Sequence, residues 1–495
     1  MSQTKFTRRA FLKISAGAGS AAFLAACAQP TAAPAPAPAA TEAPAATSAP
    51  AATAAPAATA VPAATAVPAA TAVPAEPTAV PTAAPRVYGE GATEIVVWYQ
   101  DWDGANKIMG SITPAWVEQH PEAKVTLQAI GYSDLFSKLL PSIAAGTEGD
   151  VMNMYTDWIV GTDIKQVFLD VTEAVGGSAK LSETMWPAAF TAIDVPEGKV
   201  YYFPWLAGIR GGAMTVNKDH MAEQNIDYLN FKSFEEVIEA GVKLTQKNAD
   251  GKITRAGYSP RSSQYQLLWG LIWQLGGNMF DKEKGKWTHS TDEGQQAAQI
   301  IYDAYWKHQT CDFDLFTSEF DAVAQKLVSI WGDGAWTAGV QTDVAGIPAD
   351  NIVTPYLANA KEKWLYPQHM AGFGLSKRLA SDPTKTELAV SYAQAVVSPD
   401  ALIQAFDFYS GVCMTKTVYT DPRIEKVKYG LISKRVAEGM WPTARYTQDH
   451  VANQEPSSVE LDRAMRKEIS ITEALANMDA YLQEQEDSAR ERIGI

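Results

Sequence analysis

Aromatic and acidic side chains cluster where a predicted buried strand ends near residue 100. Trp98, Tyr99 and Trp102 lie around Asp101 and Asp103. An aromatic face stacks on the C–H groups of a saturated ring, and a carboxylate accepts hydrogen bonds from hydroxyl groups. The cluster therefore predicts a site for a small polyhydroxylated solute. Because pairs of carboxylates also hydrolyse glycosidic bonds, a carbohydrate-active enzyme is a second interpretation.

Similar side chains follow other predicted elements. Asp157 and Trp158 come after a later strand, and Trp269 lies on a helix. Arg210 adjoins a glycine-rich stretch, where it would bind a solute anion or form a salt bridge. Each candidate also has a structural interpretation: Trp98 and Trp269 as core residues, and Asp103 before a glycine as a turn residue.

Composition excludes several classes of protein. The formal net charge of −15 and the absence of a basic stretch beyond the N-terminal region argue against nucleic acid as a partner. The six histidines have no metal-ligand spacing, so neither a metal nor another cofactor is expected. No recognised catalytic motif is present, and we expect no catalytic residues.

The N-terminal region is typical of an export signal. Residues 1–27 combine positive charge with a short apolar run, and 7–13 resemble a twin-arginine signal. The run ends at 24–27, which resembles a lipobox, so Cys27 is the expected site of lipidation. Several acyl chains would hold the protein at the outer face of the membrane. Cys311 and Cys413 then remain to form either a disulfide or two buried thiols.

Residues 28–85 consist almost entirely of Ala, Pro and Thr, with a repeated Thr-Ala-Val-Pro-Ala-Ala unit. Frequent proline prevents a helix, and these side chains offer too little apolar surface to form a core. We interpret the region as an extended, disordered tether.

About 400 residues remain, which is enough for two lobes with separate cores. Strands are predicted at 94–99, 124–130 and 150–155, with helices at 105–119 and 133–145 between them. This β-α-β-α-β order predicts a parallel sheet with helices on its faces. Ligands of such sheets bind beyond the carboxyl ends of the strands, which is where the aromatic cluster lies.

The pattern restarts near residue 200. Strands are predicted at 200–203 and 213–216, and glycines between them suggest a crossing from one lobe to the other. A capping box at 233–236 predicts the start of the next helix.

From residue 92 to 495 the chain resembles the family-1 extracellular solute-binding proteins, the maltose and glycerol-phosphate type of ABC importer binding protein. No single motif carries the resemblance; it rests on the order and spacing of several segments. The matching segments are 132–140, 144–146, 149–151, 198–205, 214–219, 332–336 with Gly339, and 372–376. The departures are Gly149 for the usual Pro, Val216 for Tyr, and Trp336 for Met.

The resemblance implies a two-lobed α/β clamp of type II, each lobe a mainly parallel sheet flanked by helices. It implies that residues 92–207 and 370–410 form lobe 1, and that 208–369 and 411–495 form lobe 2. It adds Trp205, Trp336, Gln341 and Phe373 to the candidate ligand-binding residues.

The expected function is capture of a sugar or oligosaccharide between the lobes by a monomer that delivers it to ABC permease subunits. Peptide, polyamine and phosphorylated polyol remain alternative solutes.

Overall fold

The computed structural model describes residues 84–156, 164–193, 196–210, 212–343, 346–347, 352–441 and 458–493. The predicted signal and almost all of the tether lie outside these ranges, as do Cys27, Asp157 and Trp158. All of the described residues belong to one compact unit.

Fourteen strands are described, and they are numbered along the chain. They are β1 Arg86–Tyr88, β2 Thr93–Gln100, β3 Ala123–Ile130, β4 Val151–Tyr155, β5 Tyr202–Arg210, β6 Ala213–Val216, β7 Gln246–Lys247, β8 Ile253–Ser259, β9 Phe280–Asp281, β10 Lys286–Trp287, β11 Val328–Asp333, β12 Ile352–Val353, β13 Tyr366–Leu375 and β14 Val412–Cys413.

The described helices are numbered in the same way. They are α1 Asp103–Gln119, α2 Tyr132–Ala145, α3 Ile164–Val167, α4 Ser178–Thr184, α5 Pro187–Ala192, α6 Lys218–Glu223, α7 Phe234–Leu244, α8 Gln264–Gln274, α9 Asp292–Trp306, α10 Glu319–Ala324, α11 Thr337–Asp343, α12 Pro383–Val396, α13 Pro399–Ala405, α14 Gly430–Met440, α15 Ser458–Met465 and α16 Ile471–Ile493. Among the described residues, no helix is both long and apolar enough to cross a membrane.

The first sheet has the strand order β1-β3-β2-β4-β13-β5-β14. The strand β2 pairs in parallel with both β3 and β4, which confirms the predicted β-α-β-α-β unit. The strands β13, β5 and β14 extend this sheet with antiparallel pairings. The sheet is therefore mixed rather than mainly parallel, because β13 lies in its middle and runs antiparallel to both β4 and β5.

The second sheet has the order β12-β6-β11-β8-β7. Only β11 and β8 pair in parallel among its described strands. Helix α7 packs against it, and the predicted capping box begins this helix: the Ser233 hydroxyl accepts a 3.3 Å hydrogen bond from the Glu236 N–H. The two-lobed α/β class is confirmed, with two mixed sheets.

Each sheet lies at the centre of its own hydrophobic core. The first core surrounds β2, β4, β5 and β13, and the second surrounds β6, β8 and β11. The chain passes between them after β5, and it returns to the first core by Leu365. The buried apolar residues between Val412 and Trp441, a segment that the sequence analysis placed in lobe 2, belong to the first core. The helices α15 and α16 then pack in the second core.

Candidate functional site

A cavity of about 620 Å³ lies where elements of the two lobes meet. Its volume is in the range of ordinary small-molecule sites. The first lobe contributes strand ends and loops, and the second contributes α10 and the region around α11. The lining residues are Gln100, Trp102, Asp103, Gly104, Tyr132, Tyr155, Trp205, Leu206, Gly208, Phe320, Trp336, Gly339, Val340, Asp343, Ala371, Phe408, Tyr409 and Ser410.

The parallel part of the first sheet places its carboxyl ends at this cavity. Gln100 ends β2 and Tyr155 ends β4, and the Tyr155 hydroxyl donates a hydrogen bond to the Gln100 side chain. Tyr132, the first residue of α2, packs edge-on against Tyr155 with ring centroids 5.8 Å apart. The cavity therefore lies beyond the carboxyl ends of these parallel strands, which is where such sheets bind their ligands.

One wall is formed where α1 begins. Trp102 is the N-cap residue of α1, and its ring lies 5.3 Å from that of Tyr409. Asp103 opens the helix and forms a 2.6 Å ion pair with Lys107, one turn further on. The Tyr409 hydroxyl donates a 3.0 Å hydrogen bond to the carbonyl of Ala207 on β5, which holds this ring at both ends.

The floor is formed by β5. Trp205 lies on this strand, almost fully buried, and packs against Phe373 of β13 with ring centroids 5.0 Å apart. Among the described residues, the Trp205 indole N–H has no hydrogen-bond partner.

The opposite wall comes from the second lobe. Phe320 of α10 is 49% exposed and packs edge-on against Trp331 at 5.2 Å. Trp336 precedes α11, and Asp343 ends that helix. The Asp343 carboxylate accepts a 2.9 Å hydrogen bond from Tyr429 and pairs with Lys428, both from the first lobe. This wall is consequently tied to the first lobe at one edge.

The described lining includes no lysine or arginine. Its two carboxylates, Asp103 and Asp343, are each paired with a lysine. The cavity thus presents aromatic faces with hydroxyl, amide and carboxylate groups, which suits an uncharged solute. Among the described residues, no group of three or more His, Cys, Asp or Glu is arranged to hold a metal ion.

A buried carboxyl group lies behind the second-lobe wall. Glu319 precedes Phe320 and accepts a hydrogen bond from the Ser259 hydroxyl, while its Oε2 has no partner among the described residues. Burial, together with the neighbouring Asp333 carboxylate, raises the pKa of Glu319 to about 7 despite the lowering effect of the serine hydrogen bonds. This group titrates near neutral pH within a few residues of the cavity.

The cavity brings together four of the candidate residues from the sequence: Trp102, Asp103, Trp205 and Trp336. Five other candidates do not line it, and all are buried: Trp98, Tyr99, Trp269, Gln341 and Phe373. Asp157 and Trp158 lie outside the described residues, and so does the side chain of Arg210.

The buried candidates have identifiable structural partners. Tyr99 points away from the cavity, accepting a 2.6 Å hydrogen bond from Arg86 and donating a 2.7 Å bond to Asn106. Trp269 lies in the second core and donates a 2.9 Å hydrogen bond to His289. Gln341 lies on α11 next to Val340, which does line the cavity.

Sequence reasoning missed most of the first-lobe wall. Tyr132 and Tyr155 adjoin the ends of β3 and β4, so their positions at the ends of predicted strands could have identified them as candidates. Phe408, Tyr409 and Ser410 had no such signal, because they precede the two-residue strand β14. That strand reaches the site only by pairing with β5.

The two remaining cysteines do not form a disulfide. Cys311 is buried in the second core and Cys413 in the first, and both are free. Burial raises the pKa of each thiol to about 12. Both are inert core residues.

Residues 101–311 match the family described as bacterial extracellular solute-binding protein. The arabinooligosaccharide-binding protein of Halalkalibacterium halodurans is 22% identical over 230 residues, which cover 45% of this chain. The match spans 48% of that relative, about half its length.

Solved structures of two binding proteins share the fold. The maltose/maltodextrin-binding domain of Bdellovibrio bacteriovorus, bound to maltotriose, has a TM-score of 0.63 at 14% identity, covering 80% of this chain and 100% of its own. The GacH receptor of Streptomyces glaucescens, solved unliganded and with acarbose, has a TM-score of 0.66 at 14% identity, covering 80% and 99%. The segment 101–311 thus matches the family of bacterial extracellular solute-binding proteins, and the chain shares its fold with solved structures of such binding proteins.

Proposed function

We propose that this protein captures a sugar or oligosaccharide in the cavity between its lobes and delivers it to the permease of an ABC importer. The observation that carries the proposal is the aromatic lining contributed by both lobes: Trp102, Tyr409 and Trp205 from the first and Phe320 and Trp336 from the second. Sugars present C–H faces that stack on such rings and hydroxyl groups that bond to carboxylates and amides. The relatives named for arabinooligosaccharide, maltotriose and acarbose support the same class of solute.

The charges near the cavity argue against the other solutes. A phosphorylated polyol requires cationic groups, and the described lining offers none. A polyamine requires free carboxylates, whereas Asp103 and Asp343 are already paired with Lys107 and Lys428.

An enzymatic role also has little support. The Asp103 side chain is 80% exposed, and Asp101 is exposed and accepts a hydrogen bond from Asn106. Neither carboxyl group is desolvated, as the general acid of a glycosidase usually is. The family and the neighbouring structures are binding proteins.

The proposal includes a location and a mode of action. The protein would be anchored through acylated Cys27 at the outer face of the membrane and would act as a monomer at the end of its tether. A solute favours closure of the two lobes only to the extent that it binds the closed form more tightly. The permease would then recognise the closed form.

A thermal-shift screen tests the class of solute. The chain from residue 84 is heated with maltotriose, mannotriose, arabinotriose, spermidine, glycerol 3-phosphate or a tripeptide. At a hundred times the dissociation constant, a bound solute stabilises the folded state by about 2.7 kcal/mol and raises the unfolding temperature. A shift with spermidine, the phosphate or the peptide but with none of the sugars would overturn the proposal.

A matched pair of variants tests the site. Trp336→Ala removes a ring from the cavity wall, and Trp306→Ala removes a ring that is 39% exposed on α9, outside the lining. We expect Trp336→Ala to weaken binding of the responding sugar by about tenfold or more, and Trp306→Ala to leave it unchanged. Equal effects of the two variants would show that the cavity is not the binding site.

A further inference from the structure

Three aromatic rings of the cavity lie directly over glycines two residues away. A Cβ atom added to Gly104 would lie 1.8 Å from the ring of Trp102. One added to Gly334 would lie 2.0 Å from the ring of Trp336. Carbon atoms that are not bonded approach no closer than about 3.5 Å, so these rings occupy space that any side chain at the glycine would need.

The third pair repeats the arrangement in the loop before β14. A Cβ atom added to Gly411 would lie 2.2 Å from the ring of Tyr409. None of these three glycines has a positive φ, so left-handed backbone conformation does not explain their presence. The space occupied by the neighbouring ring does.

The main chain beside two of these rings is itself held in place by hydrogen bonds. The carbonyl of Trp102 accepts the hydrogen bond from Asn106 that begins α1, at 3.0 Å. Thr337 donates from its N–H and its hydroxyl to the carbonyl of Gly334, at 3.1 and 2.7 Å. The orientation of these two rings is thus set by a hydrogen-bonded backbone on one side and by the missing side chain of a glycine on the other.

We propose that Gly104, Gly334 and Gly411 are positioning residues for the binding site, each omitting the Cβ whose place is taken by the ring of Trp102, Trp336 or Tyr409. The three rings are thereby oriented before a solute arrives. Pre-orientation reduces the loss of side-chain entropy on binding and so increases affinity. The consequence for affinity, but not the packing itself, rests on the proposed sugar-binding function.

The packing is tested without any solute. We compare Gly104→Ala in the wild-type protein with the same change in a Trp102→Ala background, and likewise Gly334→Ala with and without Trp336→Ala. Each ring turns about two torsions only, so the added methyl group displaces the ring and leaves the fold intact. We expect the single variants to change the near-ultraviolet circular dichroism of the tryptophans. In the ring-free backgrounds, the same methyl group should have no effect on the spectrum or on the unfolding temperature.

Gly439→Ala is the matched control. Gly439 lies in α14, has no positive φ, and an added Cβ would meet nothing within 4 Å. Alanine at this position should leave the spectrum unchanged. The proposal is overturned if Gly104→Ala and Gly334→Ala also leave the spectrum unchanged. It is equally overturned if their effects persist without the ring, because the requirement would then belong to the backbone.

Affinity is measured with maltotriose as the probe. We expect Gly104→Ala, Gly334→Ala and Gly411→Ala each to weaken maltotriose binding by about tenfold or more. Gly439→Ala should change it by less than about twofold. Unchanged affinity in the three variants would refute the positioning role. If the wild-type protein does not bind maltotriose, that result counts against the proposed function, and the spectroscopic comparison decides the positioning role.

Discussion

The hydroxyl of Tyr429 donates a 2.9 Å hydrogen bond to the carboxylate of Asp343, which joins the first lobe to the end of α11 at the edge of the cavity. Lys428 pairs with the same carboxylate. The helix α11 also meets the first lobe at its start, where the hydroxyl of Ser410 accepts a 2.8 Å hydrogen bond from the Gly339 N–H. The helix α11, which forms part of the second-lobe wall, is thus bonded to the first lobe near both of its ends.

The two ties to Asp343 should differ in strength. Lys428 and Asp343 are each nearly half exposed, and such ion pairs contribute between zero and about 1 kcal/mol. Tyr429 is 2% exposed, its hydrogen bond to Asp343 is partly buried, and hydrogen bonds to charged groups contribute about 1.5–3 kcal/mol. We expect Tyr429→Phe to lower the free energy of unfolding by about 1–2 kcal/mol in urea titrations. Lys428→Ala should lower it by less than about 0.5 kcal/mol, and the reverse order would contradict this ranking.

Local patterns in the sequence were sufficient for the β-α-β-α-β unit, whose strands and helices are contiguous in the chain. The middle of the first sheet was not predictable in this way, because β13 pairs with β4 across more than 200 residues. The cavity shows the same limit. Trp102 and Tyr409 form one wall of the cavity although they are far apart in the sequence.

A position near the end of a strand does not show whether an aromatic side chain lines the cavity or is buried in the core. Trp98 and Tyr99 are adjacent on β2 and point to opposite faces, and neither face is the cavity. Trp269 lies on α8, a helix buried on all sides, so its periodicity gave no preferred face. Composition predicted an aromatic site, but only the tertiary contacts select which rings form it.

Asp479 fastens the C-terminal helix α16 to the second core. Its carboxylate accepts hydrogen bonds from the His289 N–H at 2.6 Å, from His289 Nδ1 at 2.9 Å, and from the Ser290 N–H at 2.9 Å and its hydroxyl. The Trp269 indole donates to the other ring nitrogen of His289, so that nitrogen is unprotonated and Nδ1 carries the proton. Burial raises the pKa of Asp479, but the hydrogen bonds from His289 and Ser290 outweigh it and hold that pKa below its ordinary value.

Asp479→Ala leaves the N–H and the Nδ1–H of the buried His289 without an acceptor. We expect it to lower the free energy of unfolding by about 3 kcal/mol or more at neutral pH, measured in urea. Asp487→Ala, at an exposed position on the same helix, should cost less than about 0.5 kcal/mol. Because the folded pKa is depressed, the contribution of Asp479 is present above pH 3.8 and is lost as pH falls further. A cost for Asp479→Ala no larger than that for Asp487→Ala would contradict the tie.

Cys27 lies outside the described residues, and its predicted lipidation has a direct test. The wild-type protein, expressed in a bacterium with lipoprotein-processing enzymes, should partition into the detergent phase and incorporate labelled fatty acid. Cys27→Ala should be released from the membrane, because it lacks the acyl chains that would hold the protein there. Retention of the Cys27→Ala protein at the membrane would contradict the proposed anchor, whereas Cys311→Ala should partition like the wild type.

Two buried groups give opposite pH dependences to folding stability. Burial, together with the nearby Arg255, lowers the pKa of His220 to about 4 despite the raising effect of Glu223 and Asp219. The unfolded state therefore binds more protons between pH 4 and 6.5, and stability rises with pH in that window. Glu319, whose pKa is raised to about 7, makes the folded state bind more protons between pH 4.5 and 7, so its contribution falls as pH rises.

His220 and Glu319 change the folding stability in opposite directions between pH 4.5 and 6.5. Replacing each by an uncharged residue should separate the two contributions. Relative to the wild type, Glu319→Gln should become more stable as pH rises from 4.5 to 8, with a slope of up to about 1.4 kcal/mol per pH unit. His220→Gln should show the opposite trend, losing stability relative to the wild type as pH rises from 4 to 6.5. The measurement is the free energy of unfolding of each variant minus that of the wild type at each pH, so that the contributions of all other titrating groups cancel. A pH-independent difference for Glu319→Gln would mean that this carboxyl group does not change its protonation in the folded protein across that range.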